Sequence, residues 1–530
     1  MKKQLVYLLT GWLMCGMGLQ ARAQVEPLFT YKISRDEACN RWVESQMKQM
    51  NLREKIGQLF IYTIAPDRSK RNLALLKNVV HTHKVGGLLF SGGKLDNQAL
   101  LTNQAQKMAD VPLMITFDGE WGLSMRLRGT PVFPKNMVLG CIQDDRLIYE
   151  YGQEMARQCR ELGVQVNFAP VADVNINPQN PVINVRSFGE NPLLVADKVI
   201  AYASGLESGR VLSVAKHFPG HGDTDVDSHK ALPVLSFTRE RLDSVELYPF
   251  RKLIHAGLGG VMVGHLQVPV FEPVGKLPSS LSRNVVYTLL TEKMAFKGLI
   301  FTDALAMKGV SSAQKVCLQA LKAGNDVVLA PRDVKKEIDY VVEAVKKGEF
   351  TEEEIDERCR KVLLFKYAMG LNRKPVVRLS GLERRINTPH TRDLIRRLNL
   401  AAVTVLNNEK GVLPIHPDVK KVAVLTVGKA KELEAFTNEL KKYVEVHTFE
   451  LGKQMPDSLQ QKLRDSLSAY RRIIVPVNEI RLAPYQSFFA KFAPQVPVVY
   501  AFFTPAKLML QIHRAISNAS SVVLGHTDSD

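Results

Sequence analysis

The stretch Val211-Leu-Ser-Val-Ala-Lys-His217 is apolar and β-branched until it ends in two basic side chains. Seven other runs of this kind lie between residues 57 and 330, and an amphipathic stretch usually follows each one. These are residues 57–63, 85–90, 112–118, 164–171, 260–265, 298–303 and 326–330. Runs that are apolar on both faces are typical of parallel strands covered by helices. Eight such units predict an α/β fold with a TIM-type (β/α)8 barrel.

Polar residues follow these runs at their carboxyl ends. They are Asp118, Asp173, Lys216 with His217, His265 and Asp303. In a TIM barrel the carboxyl ends of all eight strands meet at one face, where active sites are built. We therefore expect the functional site at this face.

The pattern changes after Tyr367. Residues 371–396 are basic and polar, which predicts a segment that connects the barrel domain, residues 24–370, to a second domain. Six further strand-like runs follow, at residues 402–406, 421–426, 444–449, 472–477, 498–503 and 521–525. They predict a smaller, doubly wound α/β domain of parallel strands over residues 397–530. The chain stops directly after the last run, which leaves open whether this domain is complete.

The first 23 residues have the pattern of a secretory signal peptide. Lys2 and Lys3 precede an apolar run at residues 5–19, and Ala21-Arg22-Ala23 has the form of a cleavage site. We expect export, to the periplasm or the outside of the cell. Lipid attachment at Cys15 fits less well because a methionine precedes it. No later segment has the length and apolarity of a membrane span.

Charge and cysteine content exclude some classes of function. The formal net charge is +18, a surplus that would suit acidic glycans or an anionic envelope surface. Basic residues are not interleaved with aromatic ones in any block, so nucleic-acid binding is not predicted. The five cysteines after the signal are an odd number and lack C-x-x-C spacing, which favours free thiols over a disulfide scaffold.

Two segments carry side chains suited to nucleophilic and acid–base chemistry. Asp303 ends its strand-like run and could act as a nucleophile, although an aspartate there is also a common helix N-cap. His229 lies two residues after Asp227, and a carboxylate at that distance can orient an imidazole for acid–base work. The glycine-containing segment 220–229 could be a mobile loop that closes over a ligand, or simply a solvated polar loop.

The same segment does not fit a metal site. The alternating aspartates of residues 223–227 resemble a calcium loop, but Ser228 and Val234 stand where glycine and glutamate are needed. The histidines of residues 217–229 could be considered for zinc, but a Pro-Gly pair separates the first two and opposes the helix that their spacing needs. We therefore predict no metal and no cofactor.

Several motifs together resemble glycoside hydrolase family 3. The segment Lys216-His-Phe-Pro-Gly-His-Gly-Asp-Thr-Asp-Val-Asp-Ser-His229 resembles the signature of the β-N-acetylglucosaminidases of that family, and Phe301-Thr-Asp-Ala-Leu-Ala-Met-Lys-Gly309 resembles its nucleophile segment. Residues 117–126, 167–175 and 180–189 resemble three further segments in the expected order. The resemblance is firm over residues 40–370 and weaker over residues 397–530.

This resemblance implies a retaining exo-β-N-acetylglucosaminidase that acts on glycans with terminal N-acetylglucosamine, such as peptidoglycan fragments. It implies Asp303 as the nucleophile that forms a covalent glycosyl-enzyme, and His229, paired with Asp227, as acid/base. It also implies sugar contacts from five residues, namely Asp118, Arg126, Arg186, Lys216 and His217. Taken alone, either arginine would more often form an ordinary salt bridge.

Three alternatives remain open from the sequence. The chain could be a family 3 β-glucosidase or xylosidase, or a non-catalytic glycan-binding protein. Phosphorolysis is the third, because a neutral histidine does not repel phosphate as a second carboxylate would. Many relatives have Gln-Glu-Gly-Gly-Arg after the first aspartate, whereas this chain has Gly119-Glu-Trp-Gly-Leu123, so the preference for the leaving group is also open.

Overall fold

A computed structural model describes residues 37–226, 231–310, 313–416, 418–479, 481–492, 495–512, 516–517 and 519–526. The predicted signal peptide, residues 1–23, lies outside the described residues. So do Asp227 and His229, the predicted acid–base pair.

Eight parallel strands form the first sheet, at the eight places that the sequence predicts. They are β1 (Phe60–Ile64), β2 (Gly87–Phe90), β3 (Met114–Phe117), β4 (Val166–Asn167), β5 (Leu212–Phe218), β6 (Gly260–Val263), β7 (Leu299–Thr302) and β8 (Val328–Leu329). Each strand from β1 to β6 pairs with the next in the chain, and β8 pairs with β1. A bridge between Phe301 and Val327 links β7 to the residue before β8. The prediction of a TIM-type barrel is confirmed.

Helices cover the outside of this barrel. They are α1 (Glu37–Gln49), α2 (Leu52–Gly57), α3 (Lys70–Lys77), α4 (Leu95–Met108), α5 (Asn136–Leu139), α6 (Asp145–Glu161), α7 (Pro192–Ser208), α8 (Arg239–Ser244), α9 (Leu247–His255), α10 (Val316–Ala323), α11 (Val334–Lys346), α12 (Glu352–Ala368), α13 (Leu382–Ile386) and α14 (Pro389–Ala402). Local sequence sets several helix starts: Asn191 caps α7 ahead of a proline at its first position, and Thr351 forms a capping box with Glu354 at α12. π-helical turns occur at Asn78–Thr82 and Asn284–Lys293.

The segment 371–396 carries α13 and the start of α14 and lies against the barrel. Leu382, Ile386 and Leu394 are buried in the same apolar core as the barrel strands. The backbone of Val377 exchanges two hydrogen bonds with the side chain of Asn103, at 2.7 and 2.9 Å.

A six-stranded sheet forms the second domain. Its strands are β9 (Thr404–Asn408), β10 (Lys421–Val427), β11 (Glu445–Leu451), β12 (Ile473–Val477), β13 (Val498–Phe502) and β14 (Ser521–Leu524), in the order β9-β14-β13-β12-β10-β11. Helices α15 (Ala430–Leu440), α16 (Asp457–Ser468) and α17 (Gln486–Lys491) accompany them. Alternate residues of β10 face two separate apolar clusters, Val422 and Val424 one and Ala423 and Leu425 the other. Both faces are therefore covered, as a doubly wound domain requires.

One expectation about this sheet was wrong. Strand β9 runs antiparallel to β14, so the sheet is mixed and not all-parallel. An apolar run indicates that a segment is extended, but its direction depends on the connection that delivers it. Here a single residue, Val403, separates the end of α14 from β9, and the strand enters at the sheet edge.

Two further observations concern the described residues. None of their helices combines the length and the apolar character that crossing a membrane demands. All five of their cysteines are free thiols, and four of these are buried.

Candidate active site

The carboxyl ends of the barrel strands bring the five predicted sugar contacts together. Asp118 directly follows β3, and its carboxylate accepts a hydrogen bond from Lys216 Nζ at 2.5 Å and another from Arg126. Burial alone would raise the pKa of Asp118, but the charges of Lys216 and Arg126 hold that pKa below its ordinary value. Asp118 is therefore an ionised acceptor between two cations.

Glu120 joins the remaining charges of this cluster. Its carboxylate is completely buried and accepts two hydrogen bonds from Arg186, at 2.7 and 2.9 Å. Lys216 Nζ lies 2.8 Å from the same carboxylate, so one lysine is shared by Asp118 and Glu120. Burial of Glu120 would raise its pKa, but the paired Arg186 and Lys216 lower it overall. We call the set of Asp118, Glu120, Arg126, Arg186 and Lys216 the charged cluster.

Sequence reasoning missed Glu120 as a site residue. Its only signal was its place two residues after Asp118, in a loop at the carboxyl end of a predicted strand. A buried carboxylate needs partners, but nothing in the sequence says that Glu120 is buried.

Asp173 fixes the orientation of His217. Its carboxylate accepts hydrogen bonds from His217 Nδ1 at 2.7 Å and from the backbone N–H groups of His217 and His221. His217 Nε2 then lies 3.3 Å from Nη2 of Arg186, a group that can only donate. This geometry fits an imidazole with its proton on Nδ1. Asp173 was expected at the strand ends, but its role in holding His217 was not predicted.

Asp303 follows β7 and is partly exposed. Its Oδ1 accepts a hydrogen bond from the N–H of Ala304 at 2.7 Å. An N-cap accepts from the second or third residue of a helix, but the described residues 304–307 that directly follow Asp303 are not helical, and the next element is a 3-10 turn at Lys308–Val310. The N-cap alternative therefore does not account for this aspartate.

The charge state of Asp303 suits a nucleophile. Burial would raise the pKa of its carboxyl, but the nearby His265 and His217 outweigh that effect and lower it below the ordinary value. The side chain is therefore ionised at neutral pH, as attack on an electrophilic carbon requires.

The residues just before Asp227 are bonded to a neighbouring loop and to helix α8. The side-chain amide of Asn180 donates to the carbonyl of His221 at 2.8 Å, and Arg241 pairs with Asp223 at 3.0 Å. Burial lowers the pKa of His221 to about 4, so this imidazole is neutral at physiological pH. Because Asp227 and His229 themselves are not described, their acid–base role stays a prediction. Within the described ranges, no three His, Cys, Asp or Glu side chains are grouped to hold a metal ion.

Comparison with known proteins places the chain among carbohydrate-active enzymes. Residues 51–365 match the glycosyl hydrolase family 3 N-terminal domain. Beta-hexosaminidase A of Pseudoalteromonas piscicida is 30% identical over 391 residues, which span 67% of this chain and 65% of that protein, just under two thirds. Beta-hexosaminidase LpqI of Mycobacterium tuberculosis is 34% identical over 334 residues, covering 59% of this chain and 82% of the relative.

A solved structure resembles almost the whole chain. It is the glycoside hydrolase family 3 beta-N-acetylglucosaminidase from Paenibacillus sp. str. FPU-7, with a TM-score of 0.69 and 29% sequence identity. The match covers 90% of this chain and 94% of the other.

Proposed function

The chain belongs to glycosyl hydrolase family 3, and from this premise we propose that it is a retaining exo-β-N-acetylglucosaminidase. It would remove terminal β-linked N-acetylhexosamine from peptidoglycan fragments or related glycans. Export to the periplasm or the cell exterior, where such polymers are exposed, is part of the same proposal.

The observation that carries the proposal is the position of Asp303 directly after β7, on the face of the barrel that also holds the charged cluster. Asp118 can accept hydrogen bonds from sugar hydroxyls, and Arg126, Lys216 and Arg186 can donate them. Their mutual ion pairs hold these groups in place before a ligand arrives, which reduces the cost of ordering them on binding.

The reaction would proceed in two steps. Asp303 attacks the anomeric carbon and forms a covalent glycosyl-enzyme, while His229 gives a proton to the departing oxygen. Water then enters, His229 takes its proton, and the sugar leaves Asp303 with the β-configuration retained. Asp227 would hold the imidazole of His229 in the tautomer that these transfers need.

Substitution of Asp303 tests this function. We expect Asp303→Ala to reduce kcat for an aryl β-N-acetylglucosaminide by at least about 1,000-fold, because the covalent route is lost. His229→Ala should also reduce kcat strongly. The matched control is Asp333→Ala, since Asp333 caps α11 through the N–H of Lys336 and should affect stability only. A near-wild-type rate for Asp303→Ala would disprove the assignment.

Two comparisons on the wild-type protein separate the alternatives. A higher kcat/KM for the aryl β-glucoside than for the N-acetylglucosaminide would identify a β-glucosidase. Formation of a sugar 1-phosphate in phosphate buffer would identify phosphorolysis. Free N-acetylglucosamine as the sole sugar product supports the proposal.

A further inference from the structure

The segment of residues 373–379 combines exposed cations with exposed apolar side chains. Val376 is 82% exposed and Leu379 is 42% exposed. Three cations of the segment are exposed as well, namely Arg373, Lys374 and Arg378. The segment contains no acidic residue. Apolar side chains that are exposed among charged ones can mark a surface that binds another molecule.

The backbone of this segment is fixed against the barrel. Val377, which directly follows Val376, is buried, and its backbone is held by the side chain of Asn103 on α4. A Cβ on Gly163, just after α6, would lie only 2.6 Å from Cγ2 of Val377, so this side chain is closely packed. Because Val377 is anchored inward, the fold itself keeps Val376 at the surface.

A groove between α3 and α4 continues this surface. Apolar side chains line it, namely Leu73, Leu76 and Met108. Lys77 and Lys107 border the groove and are exposed in the last turns of the two helices. Lys107 lies one helical turn after Asn103, the residue that holds Val377. The groove therefore repeats the pattern of the segment, with apolar side chains bordered by cations.

Asp110 and Glu161 border this surface, and each is paired with a cation. Asp110, two residues after α4, forms an ion pair with Lys84. The hydrogen bond from Lys84 and the nearby charge of Lys374 hold the pKa of Asp110 below its ordinary value, so Lys374 lies close to the end of α4. Glu161, at the end of α6, pairs with Arg385 at 2.7 Å. These two carboxylates therefore do not balance the exposed cations.

The surface lies at the amino ends of the barrel strands. Helices α3 and α4 precede β2 and β3, so their last turns lie at the face where those strands begin. The contacts of Val377 near the ends of α4 and α6 place the segment at the same face. Asp118 and Asp303 follow β3 and β7 at the opposite face. A flat partner on this surface would therefore leave the candidate active site open.

The combination of groups favours an anionic lipid bilayer over a soluble polyanion. Near an anionic membrane each lysine or arginine strengthens binding about fivefold. The boundary between lipid headgroups and acyl chains also takes up apolar side chains, here Val376 and Leu379. An acidic polysaccharide would pair with the cations but has no hydrocarbon layer to receive these two residues.

We propose that residues 373–379 and the groove between α3 and α4 form a docking surface for a membrane that contains anionic phospholipid. The protein bound in this way turns its candidate active site away from the lipid. The docking surface does not depend on which glycoside the protein cleaves, so it can be tested separately from the proposed function.

Vesicle sedimentation tests this surface. Residues 24–530 include every described element and leave out the apolar run at residues 5–19, which could itself enter a bilayer. We expect this protein to bind vesicles of phosphatidylglycerol and phosphatidylcholine in equal parts, and to bind pure phosphatidylcholine at least about tenfold more weakly. Added salt should weaken binding, because it screens the charges.

Two variants separate the contributions of charge and apolar surface. Arg373→Gln/Lys374→Gln/Arg378→Gln should lower the partition coefficient on anionic vesicles about 100-fold, since three cations are lost. Val376→Ser should lower it about threefold, because a valine that enters only the boundary layer gains part of its transfer free energy.

The matched control removes three exposed lysines of the second domain, in Lys431→Gln/Lys441→Gln/Lys462→Gln. It changes the net charge equally and should keep the partition coefficient within about twofold of wild type, because charges far from the membrane are screened. All variants should keep the wild-type melting temperature, since the replaced side chains are exposed. Equal losses in the control and in the triple variant of residues 373–378 would overturn the proposal, as would a wild type without preference for anionic vesicles.

An acidic polysaccharide distinguishes the two kinds of anionic partner. If polygalacturonate bound as tightly as the anionic vesicles, and Val376→Ser weakened neither, the surface would be a polyanion site and the membrane proposal would be wrong. A Val376→Ser variant that loses affinity for the vesicles and not for polygalacturonate supports the proposal.

Discussion

The two ends of the barrel bury polar side chains in different ways. At the carboxyl ends of the strands, Asp118, Glu120, Arg186 and Lys216 bond mainly to one another. At the amino ends, several buried polar side chains bond to strand backbones, as Gln165 does when its Oε1 accepts from the N–H of Ile115 at 3.0 Å. Side chains paired with each other can exchange a partner for a ligand without disturbing a strand. Side chains bound to the backbone cannot, so the amino end serves stability.

Glu207 is an example of a buried polar side chain at the amino ends of the strands. Its buried carboxyl accepts hydrogen bonds from the side chain of Ser213 and from the backbone N–H groups of Ser213 and Gly259, at the starts of β5 and β6. No cation in the described part of the chain offsets the burial, which raises the pKa of Glu207 to about 8. Glu120 is equally buried but has a lowered pKa, because two cations contact it. Charge pairing, and not burial, distinguishes the two carboxyls.

Among variants that compare the two ends of the barrel, the largest effect is expected from removing Glu120, at the centre of the charged cluster. Glu120→Ala leaves Arg186 and Lys216 without their shared partner, and we expect kcat/KM to fall about 100-fold, because the sugar donors shift from their positions. Glu120 does not contact the reacting atoms and is a positioning residue. Glu120→Gln, which keeps the shape, should recover part of kcat/KM, measured with the aryl glycoside. If Glu120→Ala were as active as the wild type, the functional difference that we infer between the two ends of the barrel would be wrong.

A smaller effect is expected at the amino end, and it depends on pH. The Glu207 carboxyl titrates near its ordinary 4.5 in the unfolded chain and near 8 in the folded protein. Its contribution to stability is therefore complete below pH 4.5 and is lost as the pH rises toward 8. Relative to Glu207→Gln, which cannot titrate, the wild type should lose about 2 kcal/mol of unfolding free energy between pH 5 and pH 7.

Urea unfolding of both proteins at several pH values measures this difference. Glu207→Gln should also leave kcat/KM close to wild type at a fixed pH, because Glu207 lies in α7 and bonds to the amino ends of β5 and β6, opposite the strand ends that carry the candidate site. Parallel stability curves for the two proteins would show that Glu207 carries no proton in the folded state.

The smallest effect is expected on the exposed surface. Lys322 and Glu349 form an ion pair at 3.2 Å with both side chains about 40% exposed. Glu349→Ala should change the free energy of unfolding by about 0.5 kcal/mol or less, since water screens such pairs. The change in unfolding free energy of Glu349→Ala is the reference for the variants at both ends of the barrel. If Glu349→Ala lost as much unfolding free energy as a variant at a buried position, exposed and buried ion pairs would contribute equally to stability.

Much of the fold was predictable because it follows from local patterns of apolar and polar residues. Runs that are apolar on both faces, separated by amphipathic stretches, indicate buried parallel strands and the helices that cover them. Helix boundaries are less simple, since the amphipathic segment 239–256 between β5 and β6 forms two helices, α8 and α9. Strand β9 shows the limit more clearly, because an apolar run does not specify the direction in which it pairs.

The candidate site was predictable in its members and not in its contacts. Asp303 and the five sugar contacts follow from residue type, place at the strand ends and family resemblance. The partners of Glu120 do not, because they depend on the turn at Gly119–Gly122. The sequence by itself determined the barrel, the face that carries the site and the kinds of side chain there. Only the tertiary structure decided that Lys216 is shared by Asp118 and Glu120, since the barrel places the ends of β3 and β5 on either side of β4 and so brings together residues 98 positions apart.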